Sequence, residues 1–115
     1  MAKKVKLMDF TRRKCKACEG GVKPYSEQQI GKLLKSIPDW EFSNGTLVRT
    51  FEFMNFYQTM AFVNAVAWLA NLENHHPDLE IGYSRCVIRY STHAIGGISE
   101  NDFICAAKIN TILAV

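Results

Sequence analysis

A chain of 115 residues is long enough for one hydrophobic core without help from disulfides or metals. Its 48% hydrophobic and 22% charged residues are ordinary for a globular domain. No apolar run approaches the ~20 residues of a membrane-spanning helix, and the basic N-terminus lacks the apolar stretch of a secretory signal, so a cytoplasmic protein is expected.

The net charge of +3 is unevenly placed. Residues 1–16 hold seven Lys or Arg against the single acid Asp9, a local +6, which leaves −3 for the other 99 residues. Residues 1–22 read as a basic, loosely ordered arm, and 23–115 as a single domain. No contact with nucleic acid is expected, because the folded body shows no basic face.

Two of the four cysteines, Cys15 and Cys18, form one Cys-x-x-Cys within the arm. No second pair follows to complete a four-cysteine zinc site. A thioredoxin-type centre is disfavoured, since no strand precedes the motif and Glu19-Gly20-Gly21 comes next. Cys86 and Cys105 lie in apolar runs and read as small buried hydrophobes.

The arm ends at Gly20, Gly21 and Pro24. Ser26-Glu-Gln-Gln29 is a capping box opening a first helix over about 26–36, with Ile30, Leu33 and Leu34 as its apolar stripe and Ile37-Pro38 as its stop. Trp40 and Phe42 alternate with polar neighbours, Asn44-Gly45 is a strong hairpin signal, and Leu47, Phe51 and Phe53 continue the alternation. A hairpin over 39–53 is predicted, with Arg49 out of character on the apolar face. Asn55, with Gln58 three residues on, caps a second helix that must end before Pro77. One apolar seam runs through Phe56, Met60, Val63, Ala67 and Ala70, and a second through Phe62, Val66 and Leu69. A stripe so wide fits either a deeply buried helix or a subunit contact.

A strand near 79–83 and another over 85–92 follow, then a break at Gly96-Gly97. Ser99-x-x-Asp102 caps a last helix whose buried face is Phe103, Ala106, Ala107 and Ile109. The order α-β-β-α-β-β-α predicts an α+β fold: a four-stranded antiparallel sheet with three helices packed on one face.

All three histidines fall between positions 75 and 93. Imidazole titrates near pH 6.5, which suits it to proton transfer at neutral pH. His75 and His76 stand at the exit of the second helix, and His93 at the end of the last strand beside the glycine loop. Such connections house binding residues on rigid scaffolds. Neighbouring histidines chelate one ion poorly, and no His-x-x-x-His is present, so no metal is expected. The residue types fit acid/base work on a small planar substrate better.

Glu73-Asn74-His75-His76-Pro77-Asp78, then Tyr83, Ser91-Thr92-His93, Gly96-Gly97-Ile98-Ser99 and Asp102 resemble the pterin-4a-carbinolamine dehydratases. The resemblance covers roughly 20–112 and includes the Cys-x-x-Cys-Glu-Gly-Gly arm of many bacterial members. It implies the fold just derived, and an activity: removal of water from 4a-hydroxytetrahydropterin to give quinonoid dihydropterin. No metal or organic cofactor is implied, the pterin being the substrate. The implied catalytic residues are His75 and His93. His76, Pro77, Asp78, Ser91 and Thr92 would bind substrate, and Asn71, Glu73, Tyr83 and Asp102 would support the site. The family usually has an ionisable residue where this chain has Asn71, and such a group could orient His75. A homodimer or homotetramer is also implied.

Two other classes compete. One is a non-catalytic pterin-binding or assembly protein on the same scaffold, for which Asn71 and the basic arm leave room. The other is a metal-dependent hydrolase, which would lose activity to a chelator.

Overall fold

The computed structural model describes residues 8–17 and 22–113. Cys18, Gly20, Gly21 and the lysines at positions 3, 4 and 6 lie outside the described residues. Three helices, α1 (Glu27–Leu33), α2 (Phe56–Glu73) and α3 (Glu100–Ile112), alternate with β1 (Glu41–Ser43), β2 (Thr46–Glu52), β3 (Asp78–Ile81) and β4 (Arg85–Tyr90). The strands form one antiparallel sheet in the order β1-β2-β4-β3. The α-β-β-α-β-β-α order and the α+β class are those the sequence predicts.

Local signals set most element boundaries. The Ser26 hydroxyl accepts the Gln29 N–H, and the Gln29 side chain accepts the Ser26 N–H, so both halves of the capping box exist. α1 then tightens into a 3-10 turn over Leu34–Ser36 ahead of Pro38. Asn44 (φ 51°) and Gly45 (φ 78°) are both left-handed, the turn whose twist matches a two-residue hairpin. At α2 the Asn55 side chain accepts the Gln58 N–H, while Gln58 reaches past the cap to the N–H of Met54.

Register decides which side chains reach the core. Leu47 pairs with Tyr90, Arg49 with Ile88 and Phe51 with Cys86, so β2 and β4 turn this row toward the helices. Leu47, Phe51, Cys86, Ile88 and Tyr90 are buried there with Phe62, Val63 and Val66 of α2 and Phe103, Ile104 and Ile109 of α3. Arg49 is tolerated in this row because its guanidinium has partners: it bonds Asn110, lies 3.6 Å from Asp39 and sits 4.3 Å from the Phe51 ring centre.

Two expectations shift. α2 buries Thr59, Phe62, Val63, Val66 and Ala70, while Phe56 and Ala67 of the first seam are exposed. α3 is buried almost all round, because the arm covers the side that the sheet and α2 leave open. The loose arm expected over residues 1–22 is therefore revised for residues 8–17. Phe10, in a 3-10 turn over Phe10–Arg12, is 1% exposed and stacks on Phe103 at 5.5 Å.

The strand expected over 85–92 stops at Tyr90, because Thr92 turns to pair with Gly97. Gly97 in turn lies against Pro24: an added Cβ would fall 2.6 Å from the Pro24 Cβ. Gly97→Ala is expected to cost about 1–3 kcal/mol of stability in urea unfolding, the usual scale of forced overpacking.

Candidate active site

α2 ends in a reversal that aims His75. Asn74 takes a left-handed conformation (φ 49°), its N–H bonds the Asn71 carbonyl at 3.3 Å, and the His75 N–H bonds the Ala70 carbonyl at 3.1 Å. These two bonds are the Schellman pattern, with asparagine standing where glycine is commonest. The His75 carbonyl accepts from the Tyr90 hydroxyl at 3.3 Å, and the Tyr90 ring stacks on the imidazole at 5.4 Å and 14°. Both sides of the histidine's backbone and one face of its ring are thus fixed.

The edge of that ring meets a buried carboxylate. His75 Nε2 lies 2.6 Å from Asp102 Oδ1, and Asp102 is fully buried. The other oxygen, Oδ2, accepts the Thr92 hydroxyl at 2.8 Å and the Ser99 N–H at 2.9 Å. Asp102 is therefore both the capping residue of α3 and the partner of His75. Burial alone would lower the pKa of His75, but the hydrogen bond and the charge of Asp102 outweigh it and hold the pKa above the usual 6.5. With Nε2 committed to Asp102, Nδ1 is the ring nitrogen left for another partner.

A cleft of about 430 Å³ opens beside this pair. Its walls are Glu73–His76 at the α2 exit, Ser91–Ala94 after β4, Cys15–Ala17 of the arm, and Asn101 of α3. All three imidazoles line it, with His76 and His93 exposed and His75 partly covered. The volume lies within the range of small-molecule sites.

The residues anticipated from sequence divide into three groups. His75, His76, His93, Ser91, Thr92 and Glu73 all line the cleft. Thr92, expected to bind substrate, is buried and directs its hydroxyl to Asp102, with the Ser99 hydroxyl 2.8 Å away. Its place is behind His75. Pro77 and Asp78 stand beside the cleft without lining it. Asp78 is paired with Arg89, and strand alternation puts it on the outer face, away from Tyr90.

Asn71 bonds His76 Nε2 at 3.0 Å, so the group that holds His75 is Asp102 and not the residue at position 71. Tyr83 leaves the site altogether. It lies in the turn between β3 and β4, stacks on Phe56, and its carbonyl accepts from Thr59 near the start of α2, the far end from His75. Alternating hairpin geometry separates it from a motif it only neighbours in sequence.

The arm is the part the sequence did not announce. Glu73 is nearly buried, accepts the Cys15 N–H at 2.8 Å and pairs with Lys108 at 3.0 Å. Burial would raise its pKa, but these bonds hold the carboxyl below the usual range. Asn101 clasps the arm by accepting the Lys16 N–H and donating to the Lys16 carbonyl. The one hint in the sequence was Phe10, a large aromatic with nothing to pack against inside a charged segment.

An α+β sheet-and-helix domain with an imidazole cleft braced by a buried carboxylate has the geometry to hold a small molecule beside groups that can exchange protons with it. The family profile described as pterin 4 alpha carbinolamine dehydratase matches residues 23–112. A relative from Nitrosomonas europaea, provisionally named a pterin-4-alpha-carbinolamine dehydratase, is 55% identical over 107 residues, covering 92% of this chain and 95% of the relative. A crystal structure from Brucella melitensis, described as a transcriptional coactivator/pterin dehydratase, aligns with a TM-score of 0.74 at 26% identity, over 77% of this chain and 97% of that one. A pterin dehydratase-like RuBisCO assembly factor of the alpha-carboxysome shares the fold, with a TM-score of 0.53 at 23% identity over 64% of this chain and 84% of that one. This chain belongs to the pterin-4-alpha-carbinolamine dehydratase family.

Proposed function

We propose that this protein removes water from a 4a-hydroxytetrahydropterin, with His75 and His93 as the acid/base pair. The carrying observation is the cleft lined by all three imidazoles, with Asp102 holding one of them 2.6 Å away. The reaction takes the N5 proton and expels the C4a hydroxyl as water. It therefore needs a base at one atom and an acid at the next but one.

Asp102 makes His75 suited to either half. While Nε2–H donates to the carboxylate, Nδ1 carries a lone pair and can accept a proton. Once protonated, the imidazolium is stabilised by the same carboxylate and can return that proton. His93 takes the complementary step from the wall after β4. His76, held by Asn71, binds the ring or its substituent, and Ser91 offers a hydroxyl beside it. Neither a metal nor an organic cofactor enters this scheme.

The same reading places the protein in the cytoplasm as a homo-oligomer. Among the described residues no helix is long and apolar enough to cross a membrane. α2 leaves Trp68 67% and Leu72 57% exposed, which suits contact with another copy. The test is direct: 4a-hydroxytetrahydropterin is generated in situ, and its dehydration is followed with and without the protein at pH 7–8.5. A rate well above the spontaneous one is expected. Turnover no faster than the spontaneous reaction would overturn the enzyme reading and leave a binding or assembly protein on this scaffold.

A further inference from the structure

Two thiols that the dehydration does not use face each other behind the cleft. Cys15 of the arm and Cys105 of α3 are 90 positions apart in sequence, yet their sulfurs are 3.6 Å apart. Cys105 is fully buried, whereas Cys15 is half-buried and lines the cleft. We propose that Cys15 and Cys105 form a peroxide-sensitive dithiol, whose closure to a disulfide bolts the arm to α3 along the wall of the cleft.

The pairing is built into the fold. On one side the Cys15 N–H is tied to Glu73, and on the other Asn101 clasps Lys16 through two hydrogen bonds. These restraints fix the register of the arm, so the sulfurs oppose each other at every closure. A disulfide requires about 2.05 Å between sulfurs, an approach of roughly 1.5 Å. The arm, which is not helical at Cys15, is the side free to make that move.

Access assigns the roles. Cys15 meets solvent through the cleft, so it meets the oxidant, while sealed Cys105 resolves the product. The bond to Cys105 and burial raise the Cys15 thiol above its ordinary value. The bond from Cys15, aided by that of the Tyr90 hydroxyl, lowers Cys105 despite its burial. Loss of the Cys15 proton exposes a thiolate on the cleft side, where the oxidant arrives.

The Cys15 thiolate attacks one oxygen of hydrogen peroxide and breaks the O–O bond. It is oxidised to a sulfenic acid while the other oxygen, taking up the proton that Cys15 gave up, leaves as water. The Cys105 sulfur then attacks Cys15, forming the S–S bond, and the expelled hydroxide leaves with the Cys105 proton as a second water. Two thiols and one peroxide give one disulfide and two waters. A dithiol reductant such as dithiothreitol reverses the change, as expected of a transient bond in a reducing compartment.

This device stands whether or not the chain is a dehydratase, and its test reads no activity. The full-length protein is treated with equimolar hydrogen peroxide and digested with trypsin without reduction. Because Lys16 separates Cys15 from Cys18, mass spectrometry distinguishes their peptides. A dithiothreitol-reversible Cys15–Cys105 link is expected in the wild type and in Cys18→Ser. With it, Tm should rise by roughly 5–15 °C, because a long loop is closed. Cys15→Ser and Cys105→Ala should both lose the link and the shift. A predominant Cys15–Cys18 bond, a link between chains, or Cys15 oxidised beyond sulfenic acid while Cys105 stays free would each overturn the assignment.

Discussion

Replacing His75 with alanine is expected to lower kcat/KM for the proposed dehydration of a 4a-hydroxytetrahydropterin by about 10²–10⁴-fold, the scale of a lost general acid or base. The loss falls mainly on kcat, since His76, Ser91 and His93 still line the cleft. Folding should survive, because the side chain is at the surface end of its hydrogen-bond chain. The vacated Asp102 still accepts Thr92 and Ser99. His93→Ala should bring a loss on the same scale, and the double variant should fall little below the worse single one if the two act as a unit. Steady-state rates corrected for the spontaneous reaction check this. Activity of His75→Ala within twofold of wild type would remove His75 from the chemistry.

Replacing Asp102 has the second large effect, and two substitutions separate its roles. Asp102→Ala removes a fully buried carboxylate that satisfies three donors, and is expected to cost about 3–5 kcal/mol in urea unfolding. Asp102→Asn keeps the shape. Its carbonyl can serve Ser99 and Thr92, so its NH₂ faces His75 and donates to Nε2. That forces the imidazole proton onto Nδ1 and removes the lone pair from the cleft side. Activity should fall by about 10²-fold or more with most of the fold intact.

The pH dependence of stability gives a readout that packing alone would not move. The pKa of His75 is raised in the folded state, so its contribution is fully present below the unfolded value of 6.5. That contribution is lost as pH rises through the folded value. The stability difference between wild type and Asp102→Asn should therefore shrink as pH rises from about 6 to about 8.5. A difference independent of pH would show that Asp102 does not hold the His75 proton.

The parts of this protein written locally could be read from sequence. Ser26 with Gln29, Asn44-Gly45 and Ser99 with Asp102 each satisfy a backbone requirement within four residues, so spacing alone reveals them. The convergence of His75 and His93 was legible as a pattern because both stand at exits of regular elements. The contacts that cross the fold were not. The union of His75 with Asp102 spans 27 positions, and nothing in the capping box shows that its acid also faces a histidine. The docking of the arm depends on Phe103, Asn101 and Glu73, none of which advertises a partner at residues 10–16. Tyr83 was misplaced for the opposite reason: closeness in sequence to the histidines stood in for closeness in space.

α3 has a consequence for how freely this sequence can drift. Five positions on one short helix brace His75, stack the arm, oppose its thiol, neutralise Glu73 and anchor Trp40, through Asp102, Phe103, Cys105, Lys108 and Asn110. The obligations lie on several sides of the axis, and Thr111 is the one exposed residue of α3, so little of the helix is left over for neutral change. Its tolerance for substitution should resemble that of an axle and not of a surface element, and innovation in this scaffold has more room in the hairpin turns and the outer sheet face.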